Sequence, residues 1–216
     1  MANRSGKRKT RDQSLKSRIP ELGHYLIVTD TNETERNYMN GLRDSIPIEL
    51  QHKIVLKVRK AKAKGIELVN ETINIASLQP QYSETWIIFD RDQVKGFDQI
   101  VSYAKKNDIR VGWSNPCIEI WFNAYFGEMP AYLNSVVCCN GFKSKYLQVA
   151  KQNYEKSDNA IYSKLNRYGN EKKAIEIASL KYLEHERNCI CKPSEMNPGT
   201  TIHLLIKEIR DKIEKL

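Results

Sequence analysis

The segment Thr85-Trp86-Ile87-Ile88-Phe89-Asp90-Arg91-Asp92 passes without a break from five strand-forming, largely apolar residues to a pair of carboxylates. A continuous apolar run of that length, ending in turn residues, reads as a strand buried on both faces. Upstream, Tyr25-Leu-Ile-Val28 and Ile54-Val-Leu-Lys-Val58 have the same character, and Ile109 to Trp113 follows downstream. Helical spacing separates them. Tyr38, Met39, Leu42 and Ile46 fall on one face of a segment over 33–46; Leu68, Val69, Ile73 and Ile75 do so over 65–77, and 97–106 completes the set. Four strands alternating with helices predict an α/β fold, with a mainly parallel four-stranded sheet covered on both faces.

From Ile118 onward the pattern is helical, with segments predicted at 118–126, 129–137, 143–152, 157–168, 170–187 and 200–215, and no further strand. The chain of 216 residues suits one domain at about 150 residues per domain, with an appendage. The division read from the sequence is a basic tail over 1–20, an α/β core over 21–126 and a helical region over 127–216 packed on it.

Charge is unevenly spread. The formal net charge is +9, and residues 1–18 hold seven basic residues against Asp12 alone, so six of the nine excess charges sit in the tail. A segment with so little apolar surface cannot offset the entropy of ordering, so the tail is expected to be disordered and to bind phosphates by counterion release, Lys7, Arg8, Lys9 and Arg11 foremost. No apolar run approaches a membrane span and the basic start lacks an apolar stretch after it, so a cytoplasmic protein without membrane attachment is expected. Five cysteines, no pair of which has two residues between its members, argue against a zinc knuckle, and their odd number argues against a disulfide framework; reduced thiols fit. No phosphate-cradling glycine loop, no G-x-S-x-G and no H-E-x-x-H string occurs, which removes nucleotide hydrolysis, a serine hydrolase elbow and zinc peptidase chemistry from consideration.

What remains is acidic. In parallel α/β sheets ligands bind beyond the carboxyl ends of the strands. Asp30 and Glu35 follow the first strand, Asp90 and Asp92 the third, and Glu119 the fourth, in Ser114-Asn-Pro-Cys-Ile-Glu-Ile-Trp121. If the third strand stays extended through Asp92, both its carboxylates point to one side. Oxygen donors of this kind suit Mg²⁺ or Mn²⁺, and carboxylates from three strand ends converging on one point would make a metal-assisted phosphoryl-transfer site. Glu119 stands among Ile118, Ile120, Trp121 and Phe122, where a carboxylate is expected to be buried and to need a partner. Trp86, Trp113 and Trp121 read as core.

The order Val28-Thr-Asp-Thr-Asn-Glu-Thr-Glu-Arg-Asn-Tyr38, Phe89-Asp-Arg-Asp92, Ser114 to Phe122 and Asn197-Pro-Gly-Thr-Thr-Ile-His-Leu-Leu-Ile206 resembles the RloB family, over about residue 20 to the C-terminus. That resemblance implies a Toprim-like fold and a metal-dependent nuclease acting on RNA, tRNA included, or DNA, in antiviral abortive-infection defence under a partner AAA/ABC-type ATPase. It implies Asp90, Asp92 and Glu119 as Mg²⁺ ligands, Asp30 or Glu35 completing the site or activating water, and Lys156 as a phosphate contact. The family's first motif usually opens with Glu-Gly, where this chain has Asp30-Thr31; Thr34, Glu35, Asn37 and Tyr38 match it. Asp is one methylene shorter and Thr31 forbids the positive φ that Gly adopts easily, so a catalytically impaired adaptor is a second expectation and a nucleic-acid-binding module a third. Self-association is left open.

Overall fold

The computed structural model describes residues 20–215 apart from Pro80 and Gln93. Strands β1 (Gly23–Thr29), β2 (Ile54–Lys60), β3 (Glu84–Asp90) and β4 (Arg110–Asn115) are separated by helices α1 (Thr34–Asp44), α2 (Ile66–Leu78) and α3 (Phe97–Lys106). Then come α4 (Glu119–Tyr125), α5 (Ser135–Ala150), α6 (Ile161–Tyr168), α7 (Glu171–Arg187), β5 (Gly199–Thr200) and α8 (Ile202–Glu214). The sheet order is β2-β1-β3-β4-β5, parallel throughout except for the β4–β5 pair. Lys7, Arg8, Lys9 and Arg11, with most of the predicted tail, lie outside the described residues.

Side chains alternate across the strands and feed two cores. Leu26, Val28, Ile87 and Phe89 face α2 and α3, meeting Leu68, Val69, Ile100 and Val101. Tyr25, Ile27, Trp86 and Ile88 face the other way, into a larger core with Tyr38, Trp121, Phe142 and Leu205 from the remaining helices. Trp86, Trp113 and Trp121 are all buried, as their apolar neighbours require. Among the described residues no helix is long and apolar enough to cross a membrane.

Two expectations need correction. The sheet has a fifth strand, which no apolar run announces because it is two residues long. It is fixed by polar groups instead: Thr200 Oγ1 donates to the Trp113 carbonyl at 2.9 Å and Thr201 Oγ1 to that of Val111 at 2.8 Å. Helix 129–137 does not form, and 143–152 is the second half of a helix that starts at Ser135. Pro130 disfavours helix at Met129, and Asn134 supplies the cap, its side chain accepting from the Val137 amide at 3.0 Å. Gly141 sits inside α5, and the Tyr132 ring lies where its Cβ would be.

Candidate functional site

The register of the parallel strands brings the sequence-predicted carboxylates to one edge. Thr29 pairs with Ile88 and Asp90 with Ser114, so the residues following β1, β3 and β4 leave the sheet side by side. The Asp30 amide donates to the Ile88 carbonyl at 3.2 Å, and Asp90 closes β3. Beyond that edge lies a cleft of about 880 Å³ whose lining includes Asp30, Glu35, Asp90, Asp92, Glu119 and Lys156. Every carboxylate singled out from the sequence reaches this one cavity.

Their environments differ. Asp30 is 9 % exposed and Oδ1 has no hydrogen-bond partner; burial, then the neighbouring Glu35, pushes its pKa up to about 7. Glu35, in the first turn of α1, is buried, and its carboxylate accepts from the Thr31 hydroxyl. Burial also raises its pKa. Asp90 is half-buried overall, but Oδ1 is sealed from solvent and unpartnered. Burial raises its pKa well above the usual carboxylate range, reinforced by Glu35, Glu119 and Asp30. Burial and the crowding of like charge both disfavour the ionised carboxylates here.

Glu119 opens α4 and is 1 % exposed, as its apolar setting demands. It is partnered on one side only. Oε1 accepts from the Tyr154 hydroxyl at 3.0 Å and lies 3.7 Å from the Lys156 ammonium, whereas Oε2 is buried with no partner. Tyr154 and Lys156 lie between α5 and α6, in a loop that α1 pins down. Thr34 Oγ1 donates to the Lys156 carbonyl at 3.2 Å and the Asn37 amide to that of Ser157 at 3.1 Å. Burial lowers the pKa of Lys156, but Glu119, Cys139, Cys117 and Asp90 together outweigh it and the net shift is upward.

Asp92 does not extend the line of Asp90. The strand ends at Asp90, and Asp92 sits in the following turn, exposed, with its amide donating to the Pro116 carbonyl at 3.0 Å and its Oδ1 accepting from Ser135 Oγ at 2.6 Å. Sequence reasoning missed Tyr154, Ser135, Lys64 and Lys95. Lys64 and Lys95 also line the cleft, at the loops after β2 and β3. Lys64 ends the basic run that starts at Lys57; nothing in the sequence marks Tyr154.

The donor chemistry suits a hard divalent cation: three carboxylate oxygens, on Asp30, Asp90 and Glu119, are buried without a hydrogen-bond partner. Among the described residues, however, no three His, Cys, Asp or Glu side chains are grouped so that they could hold a metal ion as they stand. His185, Cys189 and Cys191 form no such group either: His185 Nε2 bonds to the Pro198 carbonyl at 2.8 Å, and both cysteines are exposed thiols.

A family model described as RloB-like protein matches residues 25–209. No curated protein and no solved structure matches the chain.

Proposed function

The chain belongs to the RloB-like family, and from that premise we propose that it is a metal-dependent nuclease with a Toprim-like core over 21–126 and a helical region over 127–216. The observation that carries the reading is the set of three unpartnered buried oxygens, Asp30 Oδ1, Asp90 Oδ1 and Glu119 Oε2, delivered by three separate elements to one cleft. Desolvating carboxylates without partners costs stability, and a site that maintains them is suited to positive charge arriving with a ligand.

Asp90 and Glu119, with Asp92 at the mouth, would hold Mg²⁺ or Mn²⁺. Such an ion, when bound, polarises a phosphate oxygen and lowers the pKa of a water. Tyr154 fixes the rotamer of Glu119, leaving Oε2 for the ligand. Asp30, whose pKa of about 7 leaves it able both to take and to give a proton at neutral pH, acts as general acid/base, with burial and then Glu35 holding it there. Lys156 neutralises charge on the scissile phosphate. Substrates are RNA, tRNA among them, or DNA; the family premise adds a place in antiviral abortive-infection defence under a partner ATPase, which agrees with the lack of a phosphate-cradling motif in this chain.

The test is incubation of the full chain with labelled tRNA, single-stranded RNA and DNA in Mg²⁺ or Mn²⁺, with and without an ATPase encoded beside it. Cleavage that vanishes in Asp90→Ala supports the nuclease. Undiminished cleavage in that variant rejects the site. A second reading, a catalytically impaired regulatory subunit, draws on Asp30-Thr31 standing where the family usually has Glu-Gly and on the lack of three grouped ligands among the described residues; it expects no cleavage, but an ATPase rate in the partner that depends on this chain.

A further inference from the structure

The lining of the cleft is unbalanced. Asp30, Glu33, Glu35, Asp90, Asp92 and Glu119 face three ammonium groups, those of Lys64, Lys95 and Lys156. A polyanion meeting this surface is repelled unless cations flank the acidic floor. Lys156 stands at the floor itself, 3.7 Å from Glu119, which offsets part of its charge. Among the described residues neither Lys64 nor Lys95 forms a salt bridge, and both are exposed.

Their placement is set by the fold. Lys64 precedes Gly65, whose φ of 64° turns the chain into α2, so that Lys64 stands at the head of that helix on the β2 side of the cleft. It is close enough to Asp30 for its charge to favour the ionised carboxylate. Lys95 precedes Gly96, whose φ of 70° turns the chain into α3 on the β3 side. Two cations thus rise from two successive strand-to-helix turns, with the three unpartnered carboxylate oxygens of Asp30, Asp90 and Glu119 facing the same cavity. Among the described residues the lining has no aromatic ring on which a base could stack; its apolar members are Val94 and Ile118.

We propose that Lys64 and Lys95 form a phosphate-binding rim that holds the backbone of a single-stranded polynucleotide on either side of the acidic floor, without reading its bases. This rests on the nuclease reading for its substrate class, but its test does not require turnover. Neutralising a phosphate releases counterions, and on single strands each such contact contributes about 0.7 to the slope of log affinity against log salt.

The experiment measures fluorescence anisotropy of labelled oligouridylate and oligoadenylate of equal length, in Mg²⁺, across a salt series. It compares the full chain with the Lys64→Ala/Lys95→Ala double variant and with a charge-matched Lys105→Ala/Lys106→Ala control at the far end of α3. The rim predicts a slope shallower by about 1.4 in the double variant, for both oligomers alike, and unchanged in the control. An unchanged slope, an equal change in the control, or a loss confined to one base overturns it. A shallower slope in a protein that cleaves nothing sinks the nuclease reading and leaves the rim standing. Cleavage with an unaltered slope does the reverse.

Discussion

The Tyr154 hydroxyl holds Glu119 by one oxygen, donating to Oε1 at 3.0 Å, and leaves Oε2 buried without a partner. Both residues are buried, so water cannot replace the bond when it is removed. Tyr154→Phe therefore strips a nearly solvent-free carboxylate of its one hydrogen-bonding hydroxyl, at a cost of about 1.5–3 kcal/mol for a bond to a charged group. Urea denaturation should show a lower midpoint with an unchanged m-value; a midpoint equal to that of the parent would mean that the bond contributes nothing net.

Asp90 gives the opposite sign. Its carboxylate is crowded by Glu35, Glu119 and Asp30, so Asp90→Asn removes repulsion as well as a ligand. In chelator-treated protein the variant should melt higher than the parent, by about 2–4 °C if relief is worth ~1 kcal/mol in a chain of this size. Added Mg²⁺ or Mn²⁺ should raise the melting temperature of the parent by mass action and leave Asp90→Asn where it was. A parent protein indifferent to both ions would contradict the assignment of Asp90 as a ligand, whatever its activity.

The parts of this site that rest on local pattern were legible in the sequence. Four strands are announced by apolar runs, and the carboxyl-edge rule for parallel sheets gathers Asp30, Asp90 and Glu119 at one edge. Glu119 was marked by its neighbours, since a charge among Ile118, Ile120 and Trp121 has to be buried. What could not be read depended on contacts across long sequence separations. Tyr154 meets Glu119 from 35 residues away, and β5 owes its place to threonine hydroxyls bonding to β4. Asp92 leaves the line of the strand because the amides of Arg91 and Asp92 turn to the carbonyls of Ser114 and Pro116, a contact between distant segments that local pattern does not carry.

Two buried groups titrate in opposing senses and should partly hide one another in the pH profile. Asp30 is raised from 3.8 to about 7, so between those values the folded state holds more protons than the unfolded one and stability falls as pH rises. His203 is lowered by burial from 6.5 to about 4, so over that window the folded state holds fewer protons and stability rises with pH. In cation-free buffer, between about pH 4 and 6.5, Asp30→Asn should shift the slope of stability against pH upward relative to the parent, and His203→Gln should shift it downward. Urea midpoints at half-unit pH steps would measure this; parallel profiles for parent and both variants would show that neither group titrates as its surroundings indicate.

Gly41 tests how α1, which carries Glu35, is seated. An added Cβ there would overlap Cβ of Tyr162 on α6. Helix propensity alone makes Gly→Ala favourable by about 1 kcal/mol in an exposed helix interior. Here the neighbour cannot easily yield: the Tyr162 hydroxyl donates to Glu171 Oε2 at 2.7 Å and accepts from Arg210, which itself bonds to Glu171 Oε1 at 2.6 Å. Overpacking costs roughly 1–3 kcal/mol, so the clash outweighs the propensity and Gly41→Ala should be destabilised. Tyr162→Phe releases the ring from those anchors, and in that background the penalty of Gly41→Ala should shrink by a measurable coupling energy in a double-mutant cycle. Strict additivity of the two substitutions would mean that the anchored ring does not set the spacing of α1 and α6.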